Sequence, residues 1–556
     1  MKNKDNPHLK LAEMGKETWN RWARTLMDDE FIDGLNLTDE KKAELKSISP
    51  LDNEEQVGLA EKLGLPDLGQ CGEYAFFNGM EIKCGFEGFL FPEGSDFSGS
   101  LFSKRAGFRE AIFGRYANFK EATFSKDADF NGAIFNRGAG FRKVTFNRNA
   151  GFREVIFSKD ADFSGTAFNK DAGFNETVLD PYSTVADFNG AEFNGDVSFN
   201  GATFSRHEDF NGVKFSGHAG FSRATFSEHA HFSGVLFNSN AIFSGTIFSK
   251  DAYFSGVIFS NRAIFREAIF GGCTDFKEAT FGKDADFNGA TFSDDVDFIN
   301  SKFKKNVFFD KTKFKEDAFF DDVTFSKTAY FGGTEFNMSV FFEKVIFFGI
   351  VDFSNSSFES ATLFKKTKFD TPPKFHNVDL HQNTSFHNAV YVNKTGSEDD
   401  VRAWRTLKLA MNKIHNHRQE LLFFKYEMDA ERAVLKADKK YISWFFIGIY
   451  KLVSDYGTSV FRSFMTLVAL CAVFTLVYTF GWLDQCVLSD YKKGFELSFA
   501  NLVPFAPTSK AEVTAVLESI KGEGPGLQVV IVFQNLVSTI MLFLIGLALK
   551  HKFSIK

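Results

Sequence analysis

Large aromatic side chains recur through the middle of the chain at alternating steps of five and six residues. Phe124, Phe130 and Phe135 show this spacing, which runs from residue 86 to residue 391 and repeats every eleven residues. Most residues between the aromatic positions are polar or small. Neither a 3.6-residue helical stripe nor a heptad has alternating steps of five and six. The pattern therefore predicts a repetitive coil with short straight sides rather than a set of helices.

A small residue stands two positions before most of these aromatic residues, as Ala128 does before Phe130. Residues two apart on an extended backbone face the same side, so we expect both side chains to point into one core. Gly, Asn, Asp and Ser between them favour tight corners. The spacing breaks once, between Leu179 and Phe188, where Pro181 marks an inserted loop.

The repeat resembles the pentapeptide-repeat family in its A-x-F form, and the resemblance covers residues 86–391. It implies a mainly β fold, a right-handed quadrilateral β-helix in which four short sides close one coil. Two periods of eleven then make one coil, so the repeat predicts about 14 coils with stacked phenylalanine ladders. We place this β-helix at residues 76–391. Residues 1–75 have a polar, helical pattern, and Trp19 and Trp22 are available to cap its first coil.

Composition agrees with a repeat and argues against several classes of function. The chain has 556 residues, of which 75 are Phe, and its net charge of −7 gives no broad electrostatic attraction for nucleic acid. Five cysteines without a CxxC pair favour a reducing compartment; they are Cys71, Cys84, Cys273, Cys471 and Cys486. The first thirty residues contain no apolar signal segment, so we expect the solenoid to stay in the cytosol.

No sequence motif points to catalysis or to a bound cofactor. The chain has none of the phosphate-binding, nucleophile-elbow or zinc-protease motifs, so we expect no enzyme activity, no catalytic residue and no cofactor. His207 and His229 are placed to stack on one outer face, while His218 lies halfway round the coil. A third ligand at matching spacing is missing, so we predict no metal site.

The chain changes character after residue 391. Residues 392–440 carry apolar side chains at steps of three, four and seven, which predicts one amphipathic connecting helix of about nine turns. Its apolar stripe packs either within the chain or against another subunit.

Residues 441–556 form a predicted α-helical membrane domain. An aromatic stretch near Trp444 suits a helix at headgroup depth, and uncharged stretches at about 464–482 and 527–549 are long enough to span a bilayer. Lysines outside both spans favour a cytosolic location for both ends. Residues 454–464 and 546–556 resemble the corresponding parts of bacterial membrane-bound pentapeptide-repeat proteins. The expected location is therefore the bacterial inner (cytoplasmic) membrane, with multiple passes.

The loop between the two spans contains a short apolar segment, and this order of helix, short segment and helix resembles the pore unit of two-helix channel subunits. A potassium-type filter sequence is missing. An interfacial loop on the outer leaflet is the other interpretation. Polar residues in the second span either bond to a neighbouring helix or line a pore. The predicted pore-lining residues are Phe499, Asn501, Pro504, Phe505, Gln534 and Asn535.

Three functions are conceivable for a solenoid joined to membrane helices. The favoured one is a homo-oligomeric membrane pore with the β-helix as a cytosolic sensor or assembly domain, since two helices per chain cannot enclose a water path alone. The alternative is a non-conducting, membrane-anchored scaffold that binds a cytosolic protein partner. Soluble members of the resembled family imitate duplex DNA and bind gyrase. Residues 86–391 hold 39 acidic and 33 basic residues, which is too balanced for such a mimic or for nucleic acid.

Overall fold

The computed structural model of the chain describes residues 6–72, 74–179, 186–392, 396–482, 488–502, 514 and 525–554. The chain divides into two compact units, Met1–Val392 and Asn393–Lys556. The first unit contains a β-solenoid with helices at its N-terminal end, and the second unit is helical.

The β-solenoid consists of two-residue strands arranged in four parallel sheets, with about 14 turns among the described residues. We number the sheets in the order in which the chain visits them within one turn. Their first and last strands are Ala75–Phe76 and Thr362–Leu363 in sheet 1, Glu81–Ile82 and Val390–Tyr391 in sheet 2, Ala106–Gly107 and Val351–Asp352 in sheet 3, and Leu90–Phe91 and Ser357–Phe358 in sheet 4. The predicted β-helical fold class is confirmed.

Phenylalanine rings fill the solenoid as the eleven-residue period predicts. Phe130 stacks on Phe152, one turn later, with ring centroids 4.9 Å apart, and meets Phe141 edge-on at 5.5 Å. Ala128 is buried beside them, while Asp129 between the two inward side chains faces outward. Parallel stacking along the axis and edge-to-face packing across it are both favourable ring geometries. The core begins earlier than the repeat suggested, because Phe77 is also fully buried.

The inserted loop leaves the sheet register intact. Ala161 pairs with Ala186 and Val178 pairs with Thr203, each three positions later than the regular repeat would place the partner. The extra residues are thus accommodated at one corner between Leu179 and Ala186. Residues 180–185 themselves lie outside the described part of the chain.

Short helices precede the solenoid and pack against it. They are α1 (Pro7–Glu13), α2 (Lys16–Thr25), α3 (Asp29–Asp33), α4 (Asp39–Ser47) and α5 (Asn53–Leu63), followed by a 3₁₀ turn at Leu68–Cys71. Trp19 is buried against the first turn, where its ring lies 5.2 Å from that of Phe91 and its indole donates to Leu90 O. Asn36 reaches further along sheet 4 and bonds to Asn136. The N-terminal region therefore covers both the end and part of one side of the solenoid.

The connecting segment forms two helices where the apolar spacing predicted one. α6 (Glu398–Lys413) and α7 (His417–Ala437) pack side by side, and Glu427 of α7 bonds to both Arg405 and Lys408 of α6. The chain turns at His415, whose φ of 59° is left-handed, and Asn416 caps α7 by accepting the Gln419 N–H. Asparagine is a preferred N-cap residue, which explains the break at this point.

The remaining helices of the second unit are α8 (Tyr441–Ser454), α9 (Val460–Trp482), α10 (Leu488–Ala500) and α11 (Pro525–Ser554). Among the described residues, α9 and α11 are long and apolar enough to cross a membrane. They contain the predicted spans and extend beyond them. α10 is the short helix that lies between these two in sequence and packs on α9.

Candidate functional site

The second unit buries a polar cluster where α9, α10 and α11 meet. The Tyr478 hydroxyl donates to Gln534 Oε1 at 2.6 Å, and Gln534 Nε2 donates to the carbonyl and hydroxyl oxygens of Ser498 at 2.8 and 3.0 Å. The Ser498 hydroxyl donates in turn to Cys471 O. Every polar atom of the Gln534 side chain therefore has a partner inside the chain.

Apolar packing surrounds this cluster on both sides along the helix axes. One group of buried side chains is Phe474, Tyr478, Leu497 and Leu527, and the other is Leu467, Cys471, Leu502 and Met541. Gly494 allows α10 to approach α9 closely, because a Cβ at this position would lie 2.8 Å from Thr475 O. The three helices thus form one packed bundle with this polar cluster inside.

The predicted pore-lining residues have different surroundings. Gln534 lies inside the bundle, and Asn501 is also buried, with its amide donating to Leu497 O at 2.9 Å. Phe499 is 59% exposed and stacks on Phe495 across 5.7 Å. Pro504 and Phe505 lie outside the described residues. Within the single chain, Gln534 therefore joins three helices, whereas the Asn501 amide bonds to the preceding turn of its own segment.

Asn535 differs from its neighbour Gln534. Its side chain is half-buried, and Asn535 Oδ1 is hidden from solvent without a hydrogen-bond partner among the described residues. The hydroxyl of Thr539 donates to the backbone oxygen of Asn535, one turn earlier, so it does not satisfy the amide. A polar group at this depth favours a hydrogen-bond partner, and the described residues supply none for Asn535 Oδ1.

A tight turn joins α8 to α9. Asp455, Tyr456 and Gly457 are all left-handed, with φ values of 50°, 60° and 73°. His551 near the end of α11 donates to Gly457 O at 3.0 Å. This contact brings together the two segments, 454–464 and 546–556, that the sequence singled out by resemblance.

α7 is joined to the same turn by half-buried charged side chains. Asp429 accepts from Lys451 Nζ at 2.6 Å and from the Tyr456 hydroxyl at 2.7 Å, while Lys425 pairs with Asp455 at 2.6 Å. Burial, reinforced by the bond to Asp429, raises the pKa of Tyr456 well above its usual range. Sequence reasoning missed this network, because its charges look like the ordinary polar face of an amphipathic helix.

α8 presents a continuous apolar face to its surroundings. Its exposed large side chains recur one helical turn apart and are Tyr441, Ile442, Phe445, Phe446, Ile449 and Leu452. On the other side of α8, the ring of Trp444 lies 4.8 Å from the Arg432 guanidinium of α7. A helix that packs on protein with one face and exposes apolar side chains on the other is typical of helices that lie at a membrane surface.

Comparison with known families identifies the repeat. A family profile described as "Pentapeptide repeats (9 copies)" matches residues 86–134, 130–178, 210–258, 254–302 and 309–357. These parts of the solenoid carry pentapeptide repeats. No match was found among curated proteins, and none among solved structures. The comparisons therefore support the solenoid and leave the activity of the chain to be inferred from its own residues.

One turn of the solenoid buries a glutamate where the eleven-residue pattern places a small residue. Glu208 stands two positions before Phe210, in line with Ala230 of the next turn, and is almost completely buried. Its carboxyl group accepts the N–H groups of Ala186 and Arg206, while Glu208 Oε2 has no partner among the described residues. Burial raises its pKa well above the usual range. The departure from the small-residue rule was visible in the sequence and was missed.

Histidines on the pentapeptide-repeat surface stack but do not converge. The rings of His207 and His229 are 4.9 Å apart and nearly parallel, as their 22-residue separation predicted. His218 lies beside sheet 3, whereas His207 and His229 lie beside sheet 1. His218 bonds there to Ser239 of the next turn. Among the described residues, no group of three or more His, Cys, Asp or Glu side chains could hold a metal ion.

Proposed function

We propose that the protein is a non-enzymatic, membrane-anchored scaffold whose pentapeptide-repeat solenoid binds a protein partner. The sequence alone favoured a pore, and the surroundings of Gln534 change that preference. A pore-lining glutamine would face water, whereas Gln534 makes all its bonds inside the bundle. The unit of α9, α10 and α11 is thus complete as an anchor without a water path.

The membrane anchor rests on three features of the second unit. α9 and α11 are long and apolar enough to span a bilayer, and α8 carries a bare apolar face. Lys451 and Arg462 lie before or at the start of α9, and Lys550 and Lys552 lie near the end of α11. Positive charge at these ends favours a cytosolic side for both, so the solenoid lies in the cytosol of a bacterial cell.

The partner surface is the outward stripe of sheet 4. Its outward residues are β-branched or apolar over successive turns and run Leu90, Ile112, Ile134, Ile156, Val178, Thr203, Thr225, Ile247, Ile269 and Thr291. The N-terminal helices bury Leu90 and Ile112, while Ile247 and Ile269 are 38% and 44% exposed. Solenoids commonly use such extended flat surfaces for protein binding.

A pore is the second candidate function, and the surroundings of Asn535 favour it. Its amide lacks a partner for Oδ1 near the middle of α11. Polar groups at that depth face another helix or water. A pore needs several copies around an axis, with Asn535 of each copy turned toward it.

Ion flux through vesicles that contain the full-length protein separates the two functions. We expect flux no greater than in empty vesicles, with a known channel protein in parallel vesicles to show that the assay responds. Flux that depends on the protein and changes with Asn535→Asp would overturn the scaffold in favour of the pore.

Substitution on sheet 4 tests the partner surface. Cross-linking in intact cells identifies proteins bound to the full-length chain, and Ile247→Asp with Ile269→Asp should abolish their recovery. Ile258→Asp is the matched control, because Ile258 is 46% exposed on sheet 2. Equal recovery with both sets of variants would rule out sheet 4 as the partner surface.

A further inference from the structure

Four polar or small residues of α11 occupy a narrow stripe of its surface. At 100° per residue, Gln528, Asn535, Thr539 and Gly546 fall within about 40° of one another. We call these four residues the amide face. The spacing of seven, four and seven is that of a helix contact seam.

The amide face is separate from the side of α11 that packs within the chain. The buried side chains of α11 that meet α9 and α10 include Leu527, Gln534 and Met541, about 120° away around the helix. The exposed apolar side chains lie on the other side and are Val529, Val532, Phe533, Leu536, Ile540 and Phe543. The amide face thus lies between a protein-facing side and a side suited to lipid.

Two residues on this face favour close contact with another helix. Asn535 Oδ1 has no hydrogen-bond partner among the described residues, and a buried amide without one destabilises a helix in hydrocarbon. Gly546 has open space around it, with nothing within 4 Å of the position a Cβ would take. Polar side chains that bond across helices and small residues that let backbones approach are typical of helix contacts in membranes.

We propose that the amide face binds the amide face of a second copy of this chain, with each Asn535 amide turned so that Oδ1 faces outward and the two side chains hydrogen-bonded to each other. This inference rests on the membrane placement proposed above. Copies inserted in one membrane have the same orientation, so a two-fold contact sets each residue opposite its counterpart at the same depth. Asn535 then meets Asn535, and Gly546 lets the two helices cross closely.

Cysteine cross-linking in membranes tests the contact. In a full-length chain whose native cysteines are replaced, Thr539→Cys or Gly546→Cys should give disulfide-linked dimers on mild oxidation. Phe533→Cys and Ile540→Cys are the matched controls, since both positions are exposed on the same helix and at least about 100° from either test position. Dimers at both sets of positions in equal yield, or at the control positions alone, would overturn the proposal.

A second measurement tests the role of the Asn535 side chain in this contact. Asn535→Leu should lower the Thr539→Cys cross-linking yield about fivefold, and Asn535→Gln should restore part of it. An unchanged yield in Asn535→Leu would contradict the role given to the amide. Alkaline extraction of the same membranes separates this failure from failure of the anchor. A chain that stays in the membrane without cross-linking overturns only the dimer contact, whereas a chain released by alkali overturns both.

Discussion

The Tyr478 hydroxyl lies 2.6 Å from Gln534 Oε1 and donates a hydrogen bond to it between α9 and α11. This bond, with the two that Gln534 makes to Ser498, ties three helices together at one level. The same bonds show the role of Gln534, a polar residue in the apolar helix α11. Gln534 holds the bundle together, and the proposed scaffold follows from that.

Removal of the Tyr478 hydroxyl should destabilise the helical unit. Tyr478→Phe leaves Gln534 Oε1 buried without a donor, and the expected loss is about 1–3 kcal/mol of the free energy of unfolding. Thermal unfolding of the full-length protein in detergent measures this change. Tyr441→Phe, at an exposed position of α8, is the control and should unfold like the parent chain. A Tyr478→Phe protein as stable as this control would contradict the role of the cluster.

Glu208 should make the stability of the solenoid depend on pH. Its pKa in the folded chain is raised, so the folded state holds a proton that the unfolded state releases as the pH rises above the ordinary range for glutamate. Stability is therefore highest below that range and falls as the pH rises through the folded pKa. Glu208→Gln should remove this slope and be more stable than the parent at pH 7. Denaturant unfolding at several pH values tests this, with exposed Glu192→Gln as a control that keeps the slope.

Two equivalent turn positions should respond to substitution by different amounts. Gly256 and Glu278 lie 22 residues apart in successive turns, and both are left-handed, with φ values of 65° and 58°. Gly256→Val should destabilise the solenoid by about 1–2 kcal/mol, because side chains with a branched Cβ fit this conformation poorly. Nothing lies within 4 Å of the added Cβ, so the effect is conformational.

Glu278→Gly relieves the same conformational penalty while giving glycine more freedom in the unfolded chain, so its net effect should stay within about 0.5 kcal/mol. Both variants are compared by denaturant unfolding. A larger loss for Glu278→Gly than for Gly256→Val would contradict the assignment of these turns.

Asp429 should control the ionisation of Tyr456. The pKa of Tyr456 is raised first by burial and then by its bond to Asp429. Asp429→Asn removes the negative charge, so the Tyr456 pKa should fall while staying above the ordinary tyrosine value. Ultraviolet titration of each chain against its Tyr456→Phe counterpart isolates this residue. An unchanged titration would show that Asp429 does not bond to Tyr456 in solution.

The sequence predicted the solenoid well because each turn repeats the same pattern of inward phenylalanines and small residues. Phe130, Ala128 and their equivalents recur often enough for the period to identify the inward positions without any knowledge of tertiary contacts. The break at His415 was missed for a local reason. Apolar residues continue at helical spacing on both sides of it, and only the cap formed by Asn416 ends one helix and begins the next.

The partners of single polar residues could not be predicted in the same way. The sequence shows Gln534 as a polar residue within an apolar span. Its hydrogen bonds depend on Tyr478 and Ser498, which lie 56 and 36 positions away along the chain. The contact between His551 and Gly457 likewise joins residues 94 positions apart. Spacing reveals which residues share a helix face, whereas these contacts depend on how three helices pack.

Alkaline extraction of membranes from cells that produce the full-length chain tests the central claim most directly. Alkali strips proteins that are held at a membrane surface and leaves those whose helices span it. The account predicts that the protein stays in the membrane pellet, and that it moves to the soluble fraction when residues 460–554 are deleted. Recovery of the full-length chain in the soluble fraction would contradict the membrane anchor.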